Sequence, residues 1–198
     1  VPSINFASGS KLVLLGIIFA AVSMLYIVAF ETFSKFFKAV LKNQYLIMAV
    51  GGGIVALLTL VLQSNEYLGT GISQIPDLLF VSAPWYVFLL KILFTAVSLG
   101  AGFKGGEIAP AMFVGASLGS FLAPMFGLPI PLVVACGMAA VFCGVTNSPI
   151  TAIVFSVELF GASQIYYTMI CVAVSYLISE YFSIYKTQKI MYSKYSTT

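Results

Sequence analysis

The residues best suited to chemistry lie together in the stretch Gly102-Phe103-Lys104-Gly105-Gly106-Glu107-Ile108-Ala109-Pro110, which joins one apolar run to the next. Paired glycines free the backbone to turn, and Pro110 fits the first turn of a helix, where N–H groups have no intrahelical partner. The spacing therefore predicts a helix that starts near Ile108. Its exposed amides, with about half a positive charge from the macrodipole, make a place for an anion without a full cation beside it. An ion held by fixed partial charges can shed its water and still leave.

Few other reagents are available. The 198 residues hold nine lysines, five glutamates and one aspartate, with neither arginine nor histidine. A histidine triad or histidine metal site is thereby excluded, and neither metal nor cofactor is expected. Cys136, Cys143 and Cys171 lie inside apolar runs without Cys-x-x-Cys spacing and read as small buried hydrophobes. The net charge of +3 is spread out, without the basic, aromatic-interleaved stretch that nucleic-acid binding needs. Gly100-Ala101-Gly102-Phe103-Lys104-Gly105 fits the dinucleotide pattern G-x-G-x-x-G. It sits between apolar helices instead of following a strand, and Gly119 and Ser120 stand where an acidic residue belongs, so nucleotide binding is set aside.

Several elements must position this stretch. At 61% hydrophobic and 8% charged, against about a quarter charged in a soluble domain, the chain reads as an all-α, multi-pass membrane protein. Leu12 to Phe30 is long enough to span, and continues amphipathically to Leu41; Leu46 to Leu62 is a second span, with Gly51, Gly52 and Gly53 inside it for close helix packing. Short elements follow at Ile75 to Phe80 and from Pro84 to about Leu99. Beyond them the runs Ile108 to Leu122, Leu132 to Val145, Ile150 to Phe160 and Ile165 to Ile178 are short or interrupted, with breaks expected at Pro124, Pro129, Pro131 and Asn147-Ser148-Pro149. Lipid supplies no hydrogen-bond partners, so such broken and re-entrant helices belong where backbone is packed in protein or lines a cavity. Lys35, Lys38 and Lys42 in one connection and Lys186, Lys189 and Lys194 in the tail are assigned to the cytoplasmic side. The chain opens on Val1 and reads as part of a longer protein.

At these residues the sequence resembles the CLC family of chloride channels and proton-coupled anion antiporters. Three stretches carry the likeness: Gly105-Gly106-Glu107-Ile108-Ala109-Pro110 followed by Val114-Gly115-Ala116-Ser117-Leu118-Gly119; Asn147-Ser148-Pro149-Ile150-Thr151 through Val157-Glu158-Leu159; and Ser183-Ile184-Tyr185. The resemblance implies that residues 1–198 are the C-terminal half of the transmembrane domain, the second of two inverted repeats. It implies transport of chloride or a related small anion, as a channel or anion/proton antiporter and not as an enzyme. The implied anion site comprises Gly106, Glu107, Ile108 and Ala109 through their backbone and Tyr185 through its hydroxyl. The gating glutamate and inner-site serine would lie in the other half. A homodimer in the cell membrane, in contact with lipid and meeting through Ile150 to Phe160 and Ile165 to Ile178, is also implied.

Glu107-Ile108 stands where the common chloride pattern has an aliphatic-aromatic pair. A carboxylate stabilises a helix N-terminus and can turn aside or pair with Lys104, whereas in the pore it repels chloride unless neutralised. A structural role is therefore preferred, with a proton carrier or selectivity element as the alternative. Gly-Gly-Glu and Glu158-Leu159-Phe160-Gly161 also resemble a bacterial subgroup that includes fluoride/proton antiporters, whose typical members carry threonine where Ala109 stands; fluoride is the alternative ion. Glu158 is expected to be a buried hydrogen-bond partner near the subunit interface. An intramembrane enzyme using Glu107 and Glu158 is the remote alternative, and a membrane subunit without its own pathway a third. Gly115 to Gly119 is a small-xxx-small motif for packing within the subunit, and Tyr166, Tyr167, Tyr176, Tyr181, Tyr192 and Tyr195 read as interfacial anchors.

Overall fold

The computed structural model describes residues 6–179 and 183–185. Every regular element in that range is helical. α1 (Phe6–Val40) and α2 (Gln44–Leu62) are followed by a 3₁₀ turn (Ile72–Gln74), the short α3 (Ile75–Leu78) and α4 (Tyr86–Gly100). Then come α5 (Ile108–Phe126), α6 (Ile130–Thr146), α7 (Pro149–Phe160), a second 3₁₀ turn (Ala162–Gln164) and α8 (Ile165–Ile178). By length and composition α1, α2 and α5 suffice to cross a membrane, while α4, α6, α7 and α8 are shorter apolar helices.

α6 is the centre. It is buried continuously from Leu132 to Thr146, which an apolar circumference allows, and α5, α1, α8 and α7 pack around it. The α5–α6 contact is backbone on backbone: a Cβ on Gly115 would run into the Gly137 carbonyl, and one on Gly119 into that of Val133. The small-xxx-small motif thus packs within the chain. On α1, Leu12, Leu15, Phe19, Val22 and Tyr26 are buried at steps of three and four residues, while Leu14, Ile17, Leu25 and Val28 on other faces are exposed. A water-facing helix would be polar there; an apolar outer stripe fits lipid. Gly51 of α2 faces Ala101 and Gly52 faces the Phe103 ring, so close packing accounts for these two glycines, whereas Gly53 has open space around it.

The break expected at Pro124 does not occur: the proline lies inside α5. Proline has no N–H for the carbonyl of Ser120 one turn back, and the Ser82 hydroxyl donates to that carbonyl instead, at 3.1 Å. The Ser120 hydroxyl in turn donates to Val81 O at 2.7 Å and accepts from Ala83 N–H at 3.0 Å. The segment before α4 thereby repairs the helix. α5 ends instead at Gly127, with φ +62°, and Lys11 Nζ donates to Phe126 O at 2.7 Å, a cation on the negative end of the dipole. Pro149 does take the first position of α7, but its N-cap Ser148 forms no side-chain cap bond and donates to Thr146 O at 3.3 Å. The three cysteines are buried, as expected. Tyr167 is buried in the core instead of acting as an interfacial anchor, because it sits on the inner face of α8; Tyr166, its neighbour, is exposed. Tyr181, Tyr192, Tyr195, Lys186, Lys189 and Lys194 lie outside the described residues.

Candidate anion-binding site

The bend begins where α4 stops. Ala101 N–H donates to Val97 O at 3.0 Å, Gly102 to Leu99 O at 3.0 Å and Phe103 to Ser98 O at 3.3 Å, while Gly102 takes φ +88°. Glycine enters this left-handed region without the steric penalty of a Cβ, and the bonds occupy the last carbonyls of α4. Phe103 to Gly106 then run exposed, and α5 starts at Ile108 with Glu107 as its N-cap.

No side chain caps this end. Of the four amides a helix start leaves without an intrahelical partner, the one at residue 110 is missing because it is proline, so Glu107, Ile108 and Ala109 supply the remaining donors. They are half-buried, between exposed Gly106 and buried Pro110. A cleft of about 370 Å³, lined by Phe103, Lys104, Gly105, Gly106, Pro110 and Thr95 among others, opens beside them. Tyr67 also lines it; burial, then the Tyr86 phenol and Glu66, push its own phenol above the usual range and keep it neutral. The arrangement offers uncapped N–H dipoles next to a cleft whose lining includes the flanking Gly106 and Pro110, which suits a small anion.

The structure brings Gly106, Glu107, Ile108 and Ala109 together at one helix end. Tyr185 reaches the fold separately: Ile184 N–H donates to Val145 O at 3.1 Å, and the Tyr185 N–H donates to Ser183 Oγ at 3.2 Å. Its side chain is exposed, with no hydrogen bond to residues 106–109 among the described residues. Glu107 and Lys104 form no ion pair there either; Lys35 and Glu31 do, at 3.3 Å. Glu158, expected to be buried, is exposed near the end of α7, on a face that this chain leaves uncovered. Glu107 stands at the start of α5 and Glu158 near the end of α7, on separate helices.

Two polar residues escaped the sequence reading. Tyr26 of α1, only 2% exposed, donates its hydroxyl to Glu107 O at 2.8 Å. Lys91 of α4 is fully buried; its Nζ donates to Tyr67 O at 3.2 Å and Gly69 O at 3.0 Å and lies 5.1 Å from the centre of the Phe113 ring. Two carbonyl dipoles and a ring face thus hold this ammonium. The available signal was compositional: a hydroxyl and a charge inside apolar runs, each obliged to find a partner.

Comparison with known proteins follows the same lines. Residues 1–180 match the family model described as voltage gated chloride channel. A chloride/fluoride channel protein of Pseudomonas syringae pv. tomato is 37% identical over 187 residues, covering 91% of this chain and 41% of that protein. The H(+)/Cl(-) exchange transporter ClcA of Yersinia pestis is 29% identical over 172 residues, covering 79% of this chain and 36% of that protein. The crystal structure of a CLC-type fluoride/proton antiporter superposes with a TM-score of 0.90 at 34% identity, over 96% of this chain and 48% of that one. The chain therefore spans less than half the length of each of these relatives.

Proposed function

The chain belongs to the voltage gated chloride channel family, and on that premise we propose that it forms the second inverted repeat of a protein that moves chloride or fluoride across a membrane. It is an integral membrane chain by its apolar helices, and the cell membrane is its proposed location. The observation that carries the reading is the start of α5, where the amides of Glu107, Ile108 and Ala109 are left uncapped beside an open cleft. Gly102 turns the chain toward the site, Gly106 precedes its first donor, and Tyr185 completes it from the segment docked on Val145. The matched relatives are named as channels, exchangers and antiporters, which points to transport and away from enzymatic chemistry.

Exchange of fluoride for protons is the second reading. A carboxylate at position 107 favours it, because a group that takes up a proton next to the anion site links the two fluxes. Homodimerisation is proposed through α7 and α8, whose exposed Ile150, Val154, Tyr166 and Met169 offer apolar surface to a second copy. The full-length protein, reconstituted in liposomes loaded with chloride or fluoride, tests both readings with ion-selective and pH electrodes. Efflux of chloride with no proton movement supports a channel, and fluoride efflux that drives protons the opposite way supports the exchanger. Absence of flux for both ions overturns the proposal.

A further inference from the structure

We propose that Tyr26 is a positioning residue for the anion site: by holding the carbonyl oxygen of Glu107 it aims the Ile108 N–H at the ion. The inference deepens the transport reading and rests on it. The carbonyl of Glu107 and the N–H of Ile108 belong to one planar trans peptide, so they point in opposite directions. A hydroxyl that fixes the oxygen at 2.8 Å therefore fixes the direction of the N–H. As N-cap carbonyl, this oxygen also accepts the first bond of α5, and its second lone pair is the one left for a phenol. Donation to the oxygen also polarises the peptide and strengthens its N–H as a donor.

The anchor is firm. Tyr26 is 2% exposed and packed in the largest apolar cluster, with Ile27 and Val22 of its own helix and Val145 at the end of α6. The bond joins residues 81 apart, so it conveys the placement of α1 directly to the bend. Ser23, one turn earlier on the same helix, is just as buried, but its hydroxyl donates to Ala20 O within α1 at 2.7 Å. The two hydroxyls satisfy the same need, and only one of them reaches the site.

This contrast sets the experiment, on the full-length protein in detergent, with chloride and fluoride binding by calorimetry and thermal unfolding measured side by side. Tyr26→Phe keeps the ring and removes the donor; it should weaken anion binding by roughly two- to tenfold, the worth of one hydrogen bond. Ser23→Ala should lower thermal stability while leaving anion affinity unchanged. A fluorinated tyrosine at position 26, whose more acidic hydroxyl donates more strongly, should bind the anion more tightly than the natural residue. Equal affinity in all three would overturn the role of Tyr26. Should Tyr26→Phe fail to fold, the fluorinated residue decides alone, since it preserves both packing and bond. Loss of anion binding by the unaltered protein would instead defeat the transport reading.

Discussion

Glu107 gives its backbone and its side chain opposite tasks. The N–H joins the uncapped donors and the carbonyl accepts from Tyr26, while the carboxylate brings negative charge to the same place and forms no salt bridge among the described residues. Glu107→Gln separates these tasks, since it keeps the backbone and removes the charge. If the carboxylate carries protons, fluoride flux in liposomes should lose its proton coupling. Anion binding should tighten on the order of fivefold, because like charges about 4 Å apart repel by about 1 kcal/mol even in water-like surroundings. Unchanged fluxes and proton ratio would leave the side chain a structural role. Tyr185→Phe asks a narrower question. The segment is docked through the backbone of Ile184, so only the hydroxyl is lost. Anion affinity by calorimetry should fall by roughly two- to tenfold, one hydrogen bond's worth; no change would remove Tyr185 from the site. At this scale the bend was legible because paired glycines and a helix-start proline are local signals. Tyr26 and Lys91 were not, because their partners lie 81 and 24 or 22 residues away and nothing local names them.

Several helix boundaries were legible, with ends at Leu62, Phe160 and Ile178 where the apolar runs stop. Ile108 and Pro149 began helices where the sequence placed them, but Pro124 did not end one, because Ser82 supplies the bond that proline cannot. That compensation comes from 38 residues upstream and is invisible to a reading of local breakers. Glycines show the same division. Gly115 and Gly53 look alike in an apolar run, yet one faces the Gly137 backbone and the other faces open space. Gly115→Val should therefore push α5 off α6, with destabilisation of about 1–3 kcal/mol or more, since no rotamer change relieves a backbone clash. Gly53→Ala should be neutral or stabilising by up to about 1 kcal/mol through helix propensity. Thermal unfolding of the two variants in detergent checks the contrast, and equal effects would contradict the packing described.

Taken whole, the molecule shows two kinds of surface. The interior around α6 is buried and closely packed, whereas α2 buries only Ile47 and Gly51 and leaves Leu57, Leu60 and Val61 more than half exposed. Such apolar faces fit lipid or a further protein surface. Lys35 and Lys38 lie in the last turns of α1 and only Lys42 in the connection to α2; if this end of α1 faces the cytoplasm, a cysteine at Lys38 should react with a membrane-impermeant thiol reagent only in permeabilised cells or inside-out vesicles. Labelling of intact cells would invert the topology. The three buried native cysteines should not compete in this measurement. The class of fold was legible from composition and run lengths. Exposure of Glu158 was not, because an apolar run does not say which of its faces stays uncovered.

α1 fastens both ends of α5. Lys11 holds the carbonyl of Phe126 and Tyr26 holds that of Glu107, so the two helices run antiparallel. The fifteen residue steps from one anchor to the other span about 22 Å, while the nineteen steps between their targets span about 28 Å, at 1.5 Å per residue, and the long lysine arm makes up most of the difference. A strut tied at two points cannot slide along its axis without breaking one tie. On the proposed reading the ion's seat is therefore braced, and release comes from swinging side chains and not from a sliding α5.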